Sequence, residues 1–106
     1  MPQAYATDID FVEWRSGRGI VALISVTGEM IDEAHMESCK KFIWERTEIE
    51  REILCTLAKS AGVPVYYVLH TSDMKTFHVY TLLDSNWRTT YERMDADMYR
   101  RFVEAL

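Results

Sequence analysis

Asp8 and Asp10 are the first residues in the chain whose types and spacing could do chemistry. In an extended segment alternate side chains share a face, so Asp8, Asp10, Val12 and Trp14 point one way and Ile9, Phe11 and Glu13 the other. Beside them lies an almost wholly apolar run, residues 20–26, reached through Arg15-Ser16-Gly17-Arg18-Gly19, whose glycines permit a hairpin turn. Two ionised carboxylates on one face of such a sheet need a partner, because unpaired charge is costly to bury. A divalent metal ion is the usual partner. The plainer reading leaves Asp8 in solvent ahead of the strand and pairs Asp10 with an arginine.

The elements that would position these acids can be read from the rest of the chain. A length of 106 residues, 48% of them hydrophobic, gives one domain with a core that folds without staples. The net charge of −5 argues against a protein that holds nucleic acid by bulk electrostatics, while leaving room for a small site in which bound cations offset local acid. No apolar run approaches the roughly 18 residues of a membrane span, and the opening residues MPQAYATD lack the basic region and apolar core of a signal peptide. A cytoplasmic location is expected. Cys39 and Cys55 fall in one helical region, about 24 Å apart along a continuous helix, too far to bridge, and read as reduced thiols.

The hairpin has strands near residues 8–14 and 20–26, and Thr27-Gly28 is expected to end the second, with Gly28 supplying a positive φ. Residues 32–60 are helical by period, with apolar positions at Met36, Cys39, Phe42, Ile43, Ile49, Ile53, Leu54 and Leu57. Asp32 is the expected N-cap, Gly62 the C-terminal stop, and a break near Trp44–Thr47 fits the interruption at Arg46. Residues 65–70 form an interior strand and 77–82 its hairpin partner, with a turn at 83–86. Trp87 is expected to pack back on the sheet. Asp95 caps a last helix whose Tyr99, Phe102, Val103 and Leu106 share a face. The order β–β–α–β–β–α predicts an α/β fold, a mixed four-stranded sheet flanked by helices, over residues 1–106.

With these elements in place, the chain resembles a compact member of the restriction-endonuclease-like superfamily, whose motif is written PD-(D/E)XK. Asp10, in its Asp8-Ile9-Asp10 context, matches the motif aspartate, and the run Val21-Ala22-Leu23-Ile24-Ser25-Val26-Thr27 matches the strand that carries the acid-x-lysine triplet. The likeness continues through Leu57-Ala58-Lys59-Ser60-Ala61-Gly62-Val63-Pro64-Val65 and the strand from Phe77 to Tyr80. It is similar to small nuclease-like proteins of bacteria and phages. The resemblance implies catalytic positions at Asp10, Ser25 and Thr27, and magnesium or manganese held by Asp8, Asp10 and, from the helix, Glu50.

Phosphodiester hydrolysis needs hard oxygen ligands for the metal, an activated water and a cation near the developing charge. Two positions depart from that pattern: the acid is Ser25 and the lysine is Thr27. Some members of the superfamily replace the lysine by threonine, so Ser25 is the larger departure. Glu29, Glu48, Glu50 or Glu52 could return an acid, and Lys40 or Lys41 a cation. His35 and Cys39, at i and i+4, have a spacing that can hold zinc, but two further ligands are not in view. His70 and His78 read as half-exposed sheet residues.

Two functions follow from the resemblance. One is a nuclease-like protein with an incomplete metal site, serving as an interaction or nucleic-acid-related module. The other is a small metal-dependent DNA endonuclease with a rearranged site. Partners would be DNA or a protein. A homodimer is also expected, because one helix cannot bury Phe42, Ile43 and Trp44 together, and Trp44 is the residue expected to be exposed.

Overall fold

The structure, a computed structural model, describes residues 9–82 and 91–106. Asp8, the turn at 83–86 and Trp87 lie outside the described residues. The elements are β1 (Phe11–Arg15), β2 (Gly19–Met30), α1 (Glu33–Arg46), α2 (Glu48–Ala61), β3 (Val65–Thr71), β4 (Thr76–Leu82), β5 (Tyr91–Asp95) and α3 (Ala96–Glu104). The strands form one sheet in the order β1-β2-β3-β4-β5. Among the described residues β2 and β3 run parallel and the other neighbours antiparallel.

The α/β class holds, but among the described residues the sheet has five strands rather than four. The added strand is β5, which pairs along β4 from Thr76↔Asp95 to Tyr80↔Tyr91. Its sequence, Tyr-Glu-Arg-Met-Asp, buries only Met94, so an edge strand carries little periodicity for a reader to find.

The two faces of the sheet are covered by different helices. Leu23, Tyr67, Leu69 and Tyr80 face α1 and α2, together with Met36, Trp44 and Leu54. Ile24, Val68, Phe77 and Val79 face α3, with Tyr99 and Phe102 packed over them. Alternation along β2 therefore sends Ser25 and Thr27 toward the paired helices, and Ile24 and Val26 toward α3. Among the described residues no helix is long and apolar enough to cross a membrane.

β2 does not stop at Thr27-Gly28; it continues to Met30. Nor does Gly28 take a positive φ, unlike Gly17, Gly19 and Gly62. Its lack of a side chain serves a different end. A Cβ at position 28 would overlap Cε1 and Nε2 of the His70 ring, which lies against the glycine backbone.

The long helical pattern is two helices meeting at Thr47 (φ −103°, ψ 14°). Hydrogen bonding runs through the kink: the Thr47 N–H donates to Ile43 O at 3.0 Å, and the Arg51 N–H donates to Thr47 O at 2.9 Å. The Arg51 side chain, 2% exposed, donates to the Trp44 carbonyl and, at 3.3 Å, to Thr47 Oγ1. Burial pulls its guanidinium below the ordinary value, and the carboxylate of Glu48 opposes the shift. The terminal signals behave as expected. Asp32 Oδ1 accepts from the His35 N–H, Asp95 Oδ1 accepts from the Met98 N–H, and Gly62 is left-handed at φ 69°.

The kink corrects the exposure expected of Trp44, which is 1% exposed, whereas Phe42 is 62% exposed. Trp44 meets Tyr80 edge-on at 4.8 Å and Tyr67 at 5.3 Å, and the Arg51 guanidinium lies 5.0 Å from its ring. His78 is also fully buried rather than half-exposed. Its Nε2–H donates to Glu33 Oε2 at 2.6 Å, and its ring stacks on Tyr91 at 4.1 Å. Arg93 Nε donates to the same Glu33 oxygen, so the first turn of α1 is tied to both β4 and β5. Cys39 and Cys55 form no disulfide.

Gly28→Ala should destabilise the fold by about 1–3 kcal/mol through overpacking, and His70→Ala in the same chain should restore most of that loss, as measured by urea unfolding. Arg51→Met removes the buried donor at the kink. The Trp44 carbonyl then lacks it, and a loss of about 1–3 kcal/mol is expected in the same measurement.

Candidate functional site

Register positions the acid first found in the sequence. Phe11 pairs with Ile24 across β1 and β2, so Asp10, one residue before the strand, stands opposite Ser25. Asp10 Oδ2 accepts from the Val26 N–H at 2.8 Å and from Ser25 Oγ at 3.2 Å. The arginine pairing considered for Asp10 is therefore replaced by a hydroxyl and a backbone amide.

A second carboxylate arrives from α2. Glu50 Oε1 lies 2.9 Å from the same Ser25 Oγ. Thr47 and Glu50 have the spacing of a capping box, in which the glutamate would turn back to bond the Thr47 N–H. Here that N–H donates to Ile43 O and Thr47 makes no side-chain cap. Glu50 is thereby released to cross to β2, still within the first turn of α2, where the helix dipole favours negative charge.

The hydroxyl of Ser25 carries one hydrogen, so it can donate to only one of these carboxylates at a time. Ser25 itself is 1% exposed, while Asp10 stays exposed and Glu50 is half-buried. The arrangement is a buried hydroxyl at the floor with two acidic oxygens at the rim, and one oxygen–oxygen approach lacks a hydrogen. Among the described residues no group of three or more His, Cys, Asp and Glu side chains converges as a metal site. Two carboxylates converge, and the third oxygen is the serine's.

Thr27 lies two residues along the same face. Its Oγ1 is 2.9 Å from the Tyr67 hydroxyl. Burial pushes the Tyr67 phenol above its ordinary value; the Thr27 and Thr47 hydrogen bonds and the charge of Arg46 oppose the rise, and Glu50 adds to it. Arg46 and Thr27 line a common hollow of about 180 Å³, together with Glu29, His35 and Cys39. A positive charge therefore stands near position 27, carried by α1 rather than by β2.

The other candidates fall elsewhere. Glu48 and Glu52 are exposed, and Glu52 belongs to the outer side of α2 with Ile49 and Ile53. Lys40 pairs with Glu37 at 2.7 Å and lies 3.7 Å from the centre of the Tyr91 ring; Lys41 is exposed. His35 Nδ1 accepts from the Ile31 N–H. His70 lies on the α3 side of the sheet. The sequence reading missed Tyr67 and Arg46. Tyr67 was legible in principle, since alternation along β3 gives it the same face as Val65 and Leu69, whereas Arg46 depends on the kink.

Comparison with protein-family models, curated proteins and solved structures gave no match.

Glu50→Gln should test the crowding at Ser25. An amide in place of the carboxylate supplies hydrogens and removes a charge. With divalent ions chelated, urea unfolding should give a variant more stable than the parent by about 0.5–1.5 kcal/mol, the net worth of a satisfied hydrogen bond. A less stable variant would mean that Glu50 is held by its charge.

Proposed function

We propose that this chain is a restriction-endonuclease-like domain with an incomplete metal site, serving as an interaction or nucleic-acid-related module. The observation that carries the reading is the convergence of Asp10 and Glu50 on Ser25, the position that the resemblance aligns with the superfamily's second acid. Hard oxygen donors suit magnesium or manganese, which commonly take one or two carboxylates and complete their shell with water or phosphate. Asp10 and Glu50 would hold the ion, and a bound ion would supply Lewis-acid polarisation of a phosphoryl oxygen. Serine at position 25 removes one anionic donor, and Thr27 carries no charge. Both departures favour binding over turnover. DNA or a protein would be the partner, and a homodimer would use exposed Phe42 in place of buried Trp44.

A small metal-dependent DNA endonuclease is the second reading. It is favoured by Glu50, which restores a carboxylate from α2, and by Arg46, whose charge acts near Thr27. Asp10 would orient the ion, and the Thr27–Tyr67 hydroxyl pair would hold a water or a phosphate oxygen beside it.

Calorimetric titration with manganese tests the metal site. Heat at sub-millimolar metal that disappears in Asp10→Asn is the expected result, and its absence removes both readings of the site as a metal centre. Metal-dependent nicking of supercoiled plasmid would select the endonuclease. The double variant Ser25→Glu, Thr27→Lys tests the strand assignment. A third carboxylate beside Asp10 and Glu50 raises repulsion without metal, so the variant should melt below the wild type. Added manganese should then raise its Tm more than that of the wild type, following RT ln(1 + [L]/Kd). Equal shifts in the two proteins would show that position 25 does not face the ion.

A further inference from the structure

The α3 side of the sheet holds a hollow on the opposite face from Ser25 and Glu50. A helix with its side chains is about 10 Å wide, whereas five strands at about 4.8 Å spacing span roughly twice that. α3 packs on β4 and β5, with Phe102 against Tyr66 and Tyr99 stacked on Phe77 at 4.3 Å. Beside it, over β1 and β2, is a hollow of about 250 Å³. Its floor is Ile24, Val26 and Phe77, Tyr99 forms a wall, and Phe11, 52% exposed, stands at the mouth.

Two polar side chains also line this apolar space, Glu13 and His70. Glu13 is half-buried and forms no ion pair among the described residues. Its neighbouring bases are engaged elsewhere: Arg15 donates to the Trp14 and Val103 carbonyls at 2.9 and 2.7 Å, and Arg18 donates to the Leu106 carbonyl at 3.0 Å. Glu13 acts on the wall of the hollow, since burial and then the Glu13 charge hold the Tyr99 phenol above its ordinary value. The Thr71 carbonyl, 2.8 Å from His70 Nδ1, can only accept, so Nδ1 carries a hydrogen and is turned away from the ligand space. Glu13 thus brings negative charge to the hollow and Tyr99 a phenol hydroxyl, and its described lining includes no lysine or arginine to match an anion.

We propose that this hollow binds a small organic cation with an aromatic body, its ring on Ile24, Val26 and Phe77 and its ammonium paired with Glu13. The volume lies just below that of drug-sized pockets, about 300 Å³ and upward, which limits the occupant to a single or fused ring with a short amine arm. Partial burial of an unpaired carboxylate is costly, and a cation carried by an apolar body satisfies both the charge and the surface around it.

Tryptamine is a suitable probe, with indole and indole-3-propanoate as neutral and anionic counterparts, followed by amide chemical shifts of the intact chain. Tryptamine should give saturable shifts at Phe11, Val26 and Tyr99, with indole weaker and the propanoate weaker still. Glu13→Gln should weaken tryptamine about tenfold, the scale of a lost charge-assisted hydrogen bond, and leave indole unchanged. Val26→Phe, which fills the hollow, should abolish both. Glu50→Gln, whose side chain meets Ser25 on the other face of the sheet, should leave tryptamine affinity unchanged, separating this site from the acidic cleft. Absence of saturable shifts, equal tryptamine affinity in Glu13→Gln, or loss of binding in Glu50→Gln would each overturn the proposal.

Discussion

The buried guanidinium of Arg51 is the interaction on which the helical layer depends. A chain turning from one helix into another at a single residue must find donors for the carbonyls it displaces. Arg51 provides them from inside the fold, reaching back to the Trp44 carbonyl and the Thr47 hydroxyl. The same bend turns Trp44 into the core against Tyr67 and Tyr80 and directs Glu50 across to β2. Core packing and the acidic cleft are thus two results of one local geometry. A straight helix through Thr47 would not give both.

The cleft is arranged against its own stability. Two carboxylates share a hydroxyl with one hydrogen, although aligned helices and strands could have held apolar side chains at those positions. Local conflicts of this kind are uncommon in a consistent fold and concentrate where a binding requirement sets the residues. The contrast with Glu33 is instructive. There a carboxylate is met by Arg93 and His78, and those hydrogen bonds, led by that of Arg93, hold it below its ordinary value. That carboxylate is satisfied. The cluster at Ser25 is not.

Much of this was legible in the sequence where local rules govern. Asp32, Gly62 and Asp95 mark helix ends through their own backbone bonds. The nearness of Asp10 to Ser25 was expected from the resemblance, but its register depends on the bulge between Glu13 and Trp14, since the turn pairing of Arg15 with Gly19 alone would set Asp10 opposite Ile24. What escaped the reading depends on distant partners. Gly28 is required by a ring forty-two positions later in the chain, so its role could not be read from its neighbours. His78 is buried because Tyr91 and Glu33 close over it, and β5 is a strand because β4 offers it an edge. Trp44 looked surplus to one helix and became central to two.

The sheet's topology has a consequence for how the chain finds its structure. Three of its four strand pairings join consecutive antiparallel strands, which can form by local closure. The central pairing, β2 with β3, is parallel and spans both helices of the crossover. Closing so long a segment costs more chain entropy than any hairpin in the sheet, and folding rates fall as such non-local contacts dominate. Docking of β3 beside β2 is therefore the pairing whose formation asks most of the chain, and the two hairpins and the β4–β5 ribbon are the pieces available to form before it.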